Sequence, residues 1–162
     1  WAVWEVLVNQ YFVDMGVGWR LVEGQLESRG PEGFKLAVDT ARESLEAAQL
    51  PTARSEIHEA LRALSRRPEP DLTGAVHHAL GALESTAREC TGDVKATLGE
   101  ILKKHPDLFP KPLDEGLTKL WGYASEMARH IREGRSPKYA EAELAVGVSA
   151  AACTYLASKI KR

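Results

Sequence analysis

The feature that most constrains the fold of this chain is the spacing of its apolar residues, which recur every three or four positions through long segments. That spacing matches the turn of an α-helix, about 3.6 residues, so each segment predicts a helix with one apolar stripe facing a core. Helices are predicted over residues 3–14, 32–48, 51–64, 71–90, 93–104 and 139–160. The clearest stripe belongs to a further helix, which follows Pro112, and comprises Leu113, Leu117, Leu120, Ala124, Met127 and Ile131.

One short stretch near the N-terminus departs from this helical spacing. Residues 19–22 and 25–28 alternate apolar and polar side chains on either side of Glu23-Gly24, which is typical of a two-stranded β-hairpin. A lone hairpin is marginally stable in water, so we expect this one to pack on helices. The predicted fold class is therefore all-α, a helical bundle with a small N-terminal β-hairpin.

Prolines mark the clearest internal joint, Arg66-Arg67-Pro68-Glu69-Pro70. Two prolines in three residues cannot continue a helix, so we divide the chain here. Residues 1–67 are predicted to hold the first helix, the hairpin and a two-helix segment packed on the bundle, and residues 68–162 a helical domain. Asp71, directly after the joint, is a favourable N-cap for the next helix.

Composition excludes several classes of function. The 162 residues carry a formal net charge of −2, so any nucleic acid must bind at a local basic patch. No secretory signal is visible, and the longest run of small apolar residues, 144–157, is shorter than the roughly 20 residues of a membrane span.

Cys90 and Cys153 lie on apolar stripes and are predicted to be buried free thiols in a reducing cytoplasm. Since the chain begins with Trp1, we expect a fragment whose natural N-terminal region is missing.

One histidine stands out by its surroundings, at the end of the helix with the clearest stripe. At about 100° per residue, Tyr123, Glu126 and His130 fall together on a half-exposed flank beside that stripe. Three arginines lie close by in the sequence: Arg129, Arg132 and Arg135. A titratable ring, a carboxylate and several cations are the groups from which a phosphodiester or nucleic-acid site could be built. The helix dipole alone would also favour cations at this end of the helix.

A second polar flank lies on the helix predicted over 71–90 and groups His77, Glu84 and Arg88. Glu84 and Arg88 are four residues apart, a spacing that supports an ion pair along the helix. One interpretation of this flank is a solvated polar surface. The other is one wall of a groove, with the flank that carries His130 as its second wall.

Metal and cofactor motifs are not found in the sequence. Adjacent His77 and His78 point about 100° apart on a helix, which is unsuitable for two ligands of one zinc ion. No glycine-rich phosphate loop, dinucleotide fingerprint or Gly-x-Ser-x-Gly nucleophile motif occurs. We therefore predict no metal and no cofactor.

Several short segments carry a pattern found in one family of helical domains. They are Asp71-Leu72-Thr73-Gly74-Ala75-Val76, Ala79-Leu80-Gly81-Ala82-Leu83-Glu84-Ser85, Ala96-Thr97-Leu98-Gly99-Glu100-Ile101-Leu102, residues 117–134 and the alanine-rich final helix. In these segments the chain resembles the C-terminal domain of bacterial abortive-infection proteins, which belongs to the HEPN-like helical domains. Residues 4–29, above all Gly16-Val17-Gly18-Trp19-Arg20-Leu21-Val22-Glu23-Gly24, resemble the segment joined to such domains in AbiJ-like proteins.

The resemblance implies a helical bundle, usually a homodimer that pairs through the helix carrying the histidine, in proteins of phage defence or toxin action. Catalytic members of the family cleave RNA with an arginine and a histidine that are separated by four to six residues, often followed by glycine. His130 resembles that histidine, but Tyr123, Ala124 and Ser125 occupy the positions where the arginine would stand. Ile131 replaces the usual glycine.

The missing arginine bears directly on the chemistry. Metal-independent RNA cleavage needs a base for the 2′-hydroxyl proton and a cation for the charged phosphate. The sequence therefore favours a non-catalytic, HEPN-like module of a bacterial phage-defence system that is RNA-related or binds proteins. Its expected partners are a second copy of the chain, RNA, another protein or the missing N-terminal region, and no membrane.

Two alternatives stay open. The first is a divergent metal-independent endoribonuclease in which His130, Tyr123 and Glu126 are catalytic. In either RNA-related case, the residues predicted to bind RNA are Arg129, Arg132, Arg135, Arg88 and His77. The second alternative is an unrelated helical interaction scaffold.

Overall fold

A computed structural model describes residues 2–129 and 136–160 of the chain. It confirms the predicted fold class, helices with one small antiparallel β-hairpin near the N-terminus. The elements of these residues are α1 (Ala2–Asp14), β1 (Trp19–Val22), β2 (Gln25–Ser28), α2 (Glu32–Ala47), α3 (Pro51–Ser65), α4 (Leu72–Thr91), α5 (Leu98–Lys104), α6 (Leu113–Arg129) and α7 (Tyr139–Ala157).

Four helices, α2, α3, α4 and α7, supply most of the core. α3 packs on α4, α4 on α7 and α7 on α2, while α5 and α6 pack on α4. Apolar stripes that the spacing predicted are buried here, among them Val38, Ala41 and Leu45 of α2. Side chains from both sides of the proposed division at residue 67, such as Leu61 and Leu83, belong to one apolar cluster. No helix of the described residues is long and apolar enough to cross a membrane.

Local signals set both ends of α4 and the start of α5. The Asp71 carboxylate accepts a hydrogen bond from Gly74 N at 2.8 Å, which caps α4 as predicted. At its other end Gly92 adopts a left-handed φ of 74°, a conformation that glycine reaches without a steric penalty. The prediction that the next helix begins at residue 93 was wrong. That helix starts at Leu98, because Thr97 and Glu100 cap each other's backbone N–H groups there.

The hairpin packs on the bundle in the opposite sense to most half-buried hairpins. Alternation usually turns the apolar side chains inwards and leaves the polar ones in water. Here the cross-strand partners Arg20 and Glu27 are only 8% and 1% exposed, whereas Leu26 is 55% exposed. A charged pair therefore lies between the hairpin and helices α2 and α3, and it must be compensated by further charges.

Candidate functional site

A groove between α4 and α6 lies where the two polar flanks were expected to face each other. This α4–α6 groove has a volume of about 200 Å³. His77 and Glu84 line it from α4, and Trp121, Ala124 and Ser125 line it from α6. Tyr123 is not among its lining residues, so the two flanks face each other only in part.

Glu84 and Arg88 hold the connection between α4 and α5. Their ion pair measures 2.6 Å between Arg88 Nη2 and Glu84 Oε1. The second Glu84 oxygen accepts a hydrogen bond from Leu98 N at 2.8 Å, and Arg88 Nε donates to the Ala96 carbonyl at 2.8 Å. Both side chains therefore satisfy backbone groups of the 96–98 segment, which would otherwise lack partners near the start of α5.

The predicted catalytic flank is described only in part. The Tyr123 hydroxyl donates to Glu141 Oε2 at 3.4 Å, at the start of α7. Burial and the neighbouring Glu141 carboxylate raise the pKa of the Tyr123 hydroxyl above its usual value, so this group is a protonated donor at neutral pH. Glu126 is exposed on the same helix. Outside the described residues lie His130, Arg132, Arg135 and the side chain of Arg129.

Trp121, which lines the α4–α6 groove, packs against its own chain. Its indole ring lies so close to Gly99 of α5 that a Cβ at residue 99 would sit 3.0 Å from the ring. The ring also contacts the apolar core from its partly buried position. Trp121 therefore joins α6 to α5 within the monomer.

A network of charged groups around the buried Arg20 and Glu27 holds the hairpin on the bundle, and sequence analysis did not find it. This hairpin network consists of Arg20, Glu27, Asp39, Arg42 and His58. Arg42 of α2 donates to both Glu27 oxygens, at 2.6 and 3.2 Å, and Arg20 Nη2 lies 3.2 Å from Glu27 Oε2. Arg20 Nη1 in turn donates to both Asp39 oxygens, at 2.7 and 2.8 Å.

His58 of α3 completes the hairpin network. Its Nδ1 lies 3.3 Å from Arg42 Nη2. The same nitrogen lies 3.8 Å from Glu27 Oε1, so His58 contacts both members of the Arg42–Glu27 pair. Beside this ring is a cavity of about 240 Å³, whose lining includes Arg54 and Glu23. Charged groups of both signs meet here, and the Arg54 guanidinium lies 3.8 Å from Glu46 Oε2.

The sequence carried one signal for this network. Arg20 and Glu27 have opposite charges and fall in register once the turn is placed at Glu23-Gly24, so they were identifiable as a cross-strand pair. What could not be inferred locally was which face of the hairpin meets the bundle. Asp39, Arg42 and His58 come from two helices whose orientation relative to the hairpin depends on tertiary packing.

The cysteines and the other titratable groups form no metal site among the described residues. No group of three His, Cys, Asp or Glu side chains there is placed to hold an ion. Cys90 and Cys153 are free thiols, and burial raises the pKa of the Cys153 thiol to about 12. His78 Nδ1 lies 2.8 Å from Glu56 Oε2, which pairs α4 with α3.

Among the residues that the structure describes, two apolar surfaces open to solvent stand out. The first, the α1 stripe, comprises Val3, Trp4, Leu7 and Tyr11 of α1 with Met15 directly after the helix, and Val6 and Val13 of α1 are also exposed. The second, the α2–α7 groove, has a volume of about 400 Å³ and is lined by side chains including Phe34, Ala37, Leu144, Gly147, Val148 and Ala151. The Glu143 carboxyl also lines this groove, and burial raises its pKa above the usual value.

Comparisons with known proteins leave the family of this chain open. No protein-family model, no curated protein and no solved structure matches it.

Proposed function

We propose that this chain is a non-catalytic, HEPN-like helical interaction module of a bacterial phage-defence system, and that it works as a homodimer in the cytoplasm. The observation that carries the proposal is the α1 stripe, five apolar side chains that are each more than half exposed. Monomeric proteins rarely leave contiguous apolar patches of more than a few hundred Å² in water, and larger patches mark interaction sites. Two free thiols support a reducing compartment.

The bonds that Glu84 and Arg88 make beside the α4–α6 groove support a role without catalysis. The carboxylate of Glu84 is bound to Arg88 and to a backbone N–H, so it is not available as a base. The Arg88 guanidinium, one of the predicted RNA-binding groups, is bonded to Glu84 and Ala96.

An RNA-cleavage assay tests the proposal against the ribonuclease alternative. The whole chain is incubated with single-stranded RNA without metal, beside a His130→Ala variant and a His105→Ala variant as a matched histidine control. We expect no cleavage above background from any of the three proteins. Cleavage by the unmodified chain that is lost in a folded His130→Ala protein, but kept in the control, would establish the ribonuclease instead.

RNA binding without cleavage is measured separately, by titrating fluorescent RNA at several salt concentrations. Binding through phosphates weakens steeply with salt, because each neutralised phosphate releases counterions. If RNA is a partner, replacing Arg129, Arg132 and Arg135 together with alanine weakens binding and flattens the salt dependence. Absence of binding at low salt would restrict the proposal to protein partners.

A further inference from the structure

The α2–α7 groove is apolar except for one ionisable side chain, that of Glu143. We propose that this groove binds a small molecule made of a primary ammonium group and a short apolar body, with the ammonium paired to the Glu143 carboxylate. No other charged side chain of the described residues lines the groove. The inference goes beyond the proposed function and does not depend on it.

Glu143 is the group that gives the α2–α7 groove its chemistry. Its side chain is half-buried, and within the described residues it makes no hydrogen bond and no ion pair. Burial raises the pKa of this carboxyl, and no neighbouring charge contributes to the shift. A carboxylate that is partly removed from water without a partner costs free energy, which a cation bound to it offsets.

The floor of the groove is apolar and open to a ligand. Phe34 of α2 is 9% exposed, and a Cβ at Gly147 of α7 would lie 3.4 Å from Cδ2 of its ring. Because Gly147 has no side chain, the space beside the ring stays free. Exposed Leu144 and Val148 add further apolar surface. Each CH₂ group that a ligand buries on such a surface raises affinity by about fourfold.

The carboxylate lies beside this floor. Gly30 has a left-handed φ of 61°, and a Cβ there would lie 2.6 Å from Phe34 Cδ1 and 3.0 Å from Glu143 Oε1. The ring and the carboxylate oxygen therefore lie next to each other against the backbone of Gly30. The apolar body of an ammonium ion bound to that oxygen can reach the ring directly.

The dimensions of the groove suit a small molecule. Its volume is about 400 Å³, and residues 31–37 line it on the side of α2. These residues span about 9 Å at 1.5 Å per residue, a length that an extended six-carbon chain with its nitrogen nearly fills. Small-molecule sites are typically apolar with a few polar groups that fix the orientation of the ligand, and Glu143 is such a group here.

A neutral apolar ligand would fit this site less well. By covering Glu143, it would take the carboxylate further from water without a partner, and the loss of hydration would oppose binding. An ammonium group brings the opposite charge to the same place. The carboxylate therefore selects between ligands that share one apolar body.

Nuclear magnetic resonance on the ¹⁵N-labelled whole chain tests the site. Hexylammonium at pH 7 is the probe, and 1-hexanol is its neutral counterpart of the same length. We expect hexylammonium to shift the amide signals of Gly33 and Gly147, with a dissociation constant on the order of 1 mM. We expect 1-hexanol to bind at least about 10-fold more weakly. Propylammonium, which is three CH₂ groups shorter, should also bind at least about 10-fold more weakly than hexylammonium.

Three variants separate the carboxylate from the apolar floor. Glu143→Gln keeps the shape of the side chain and should weaken hexylammonium binding by about 10-fold, which removes its advantage over 1-hexanol. Glu32→Gln is the matched control, because Glu32 is an exposed carboxylate of α2 outside the groove, and it should leave the affinity unchanged. Gly147→Leu fills the space beside Phe34 and should abolish binding of both probes. Circular dichroism checks that each variant keeps its helix content.

Several outcomes would overturn the site. They are unshifted signals of Gly33 and Gly147 even at tens of millimolar hexylammonium, equal affinities for hexylammonium and 1-hexanol, and unchanged affinity in a folded Glu143→Gln protein. Equal weakening by Glu32→Gln and Glu143→Gln would show attraction to the acidic surface in general, which also contradicts the proposal.

Discussion

Replacing Glu27 with glutamine tests whether the hairpin network is buried in solution. The substitution keeps the size of the side chain but removes the negative charge that faces Arg42 at 2.6 Å and Arg20 at 3.2 Å. Removing one partner of a buried ion pair typically costs about 3–5 kcal/mol, because the remaining charge is left without compensation. Arg20 keeps its contact with Asp39, so the loss falls mainly on Arg42. We therefore expect the lower end of the range, about 3 kcal/mol.

The assay is urea unfolding followed by circular dichroism at neutral pH. The midpoint should fall while the slope stays unchanged, since the same surface is exposed on unfolding. Glu59→Gln is the matched control, because the ion pair of Glu59 with Arg62 is exposed on α3 and should contribute under about 1 kcal/mol. Adding Arg42→Met to the Glu27 variant should recover part of the loss, since it removes the uncompensated charge. A Glu27→Gln protein within about 1 kcal/mol of the unmodified chain would refute this account.

Three further predictions concern the helices. Gly99→Ala should destabilise the chain by about 1–3 kcal/mol in thermal unfolding and alter the near-ultraviolet signal of Trp121, since its Cβ would meet the ring at 3.0 Å. The control is Gly116→Ala on α6, where the new Cβ would meet open space, and it should be neutral or stabilise the chain by up to about 1 kcal/mol. Destabilisation equal to that of Gly99→Ala would contradict the packing argument. Asp71→Ala should cost about 1 kcal/mol in the same assay through loss of the α4 cap, and no change would exclude that cap. Burial raises the pKa of Glu143 in the folded chain, so folding favours the protonated form of this carboxyl. The free energy of unfolding therefore falls as pH rises from the pKa of Glu143 in the unfolded chain through its pKa in the folded chain. Glu143→Gln should therefore raise the melting temperature at pH 7 but not below the ordinary glutamate pKa of about 4.3, and the same increase at both pH values would contradict the shift.

Much of the candidate site depends on contacts between helices, which sequence analysis could not predict. The spacing placed His77 and Glu84 on one flank of a helix, and both do line the α4–α6 groove. The same spacing could not show that Tyr123 donates to Glu141 of α7. That contact depends on how α6 and α7 are arranged in space, which no pattern within one helix specifies.

By itself, the sequence determined the features that depend on near neighbours along the chain. Helical spacing, the cap at Asp71, the left-handed Gly92 and the turn at Glu23-Gly24 are set by steric preference and hydrogen bonds within a few residues. Only the tertiary structure decided which face of the hairpin and which face of α1 meet the rest of the chain. Glu27 is enclosed because Arg42 approaches from α2, and the α1 stripe stays exposed because α1 is held on β1 by its other face. The free energy of a buried charge or an exposed apolar surface depends on the partners that meet it, and those partners are distant in the chain.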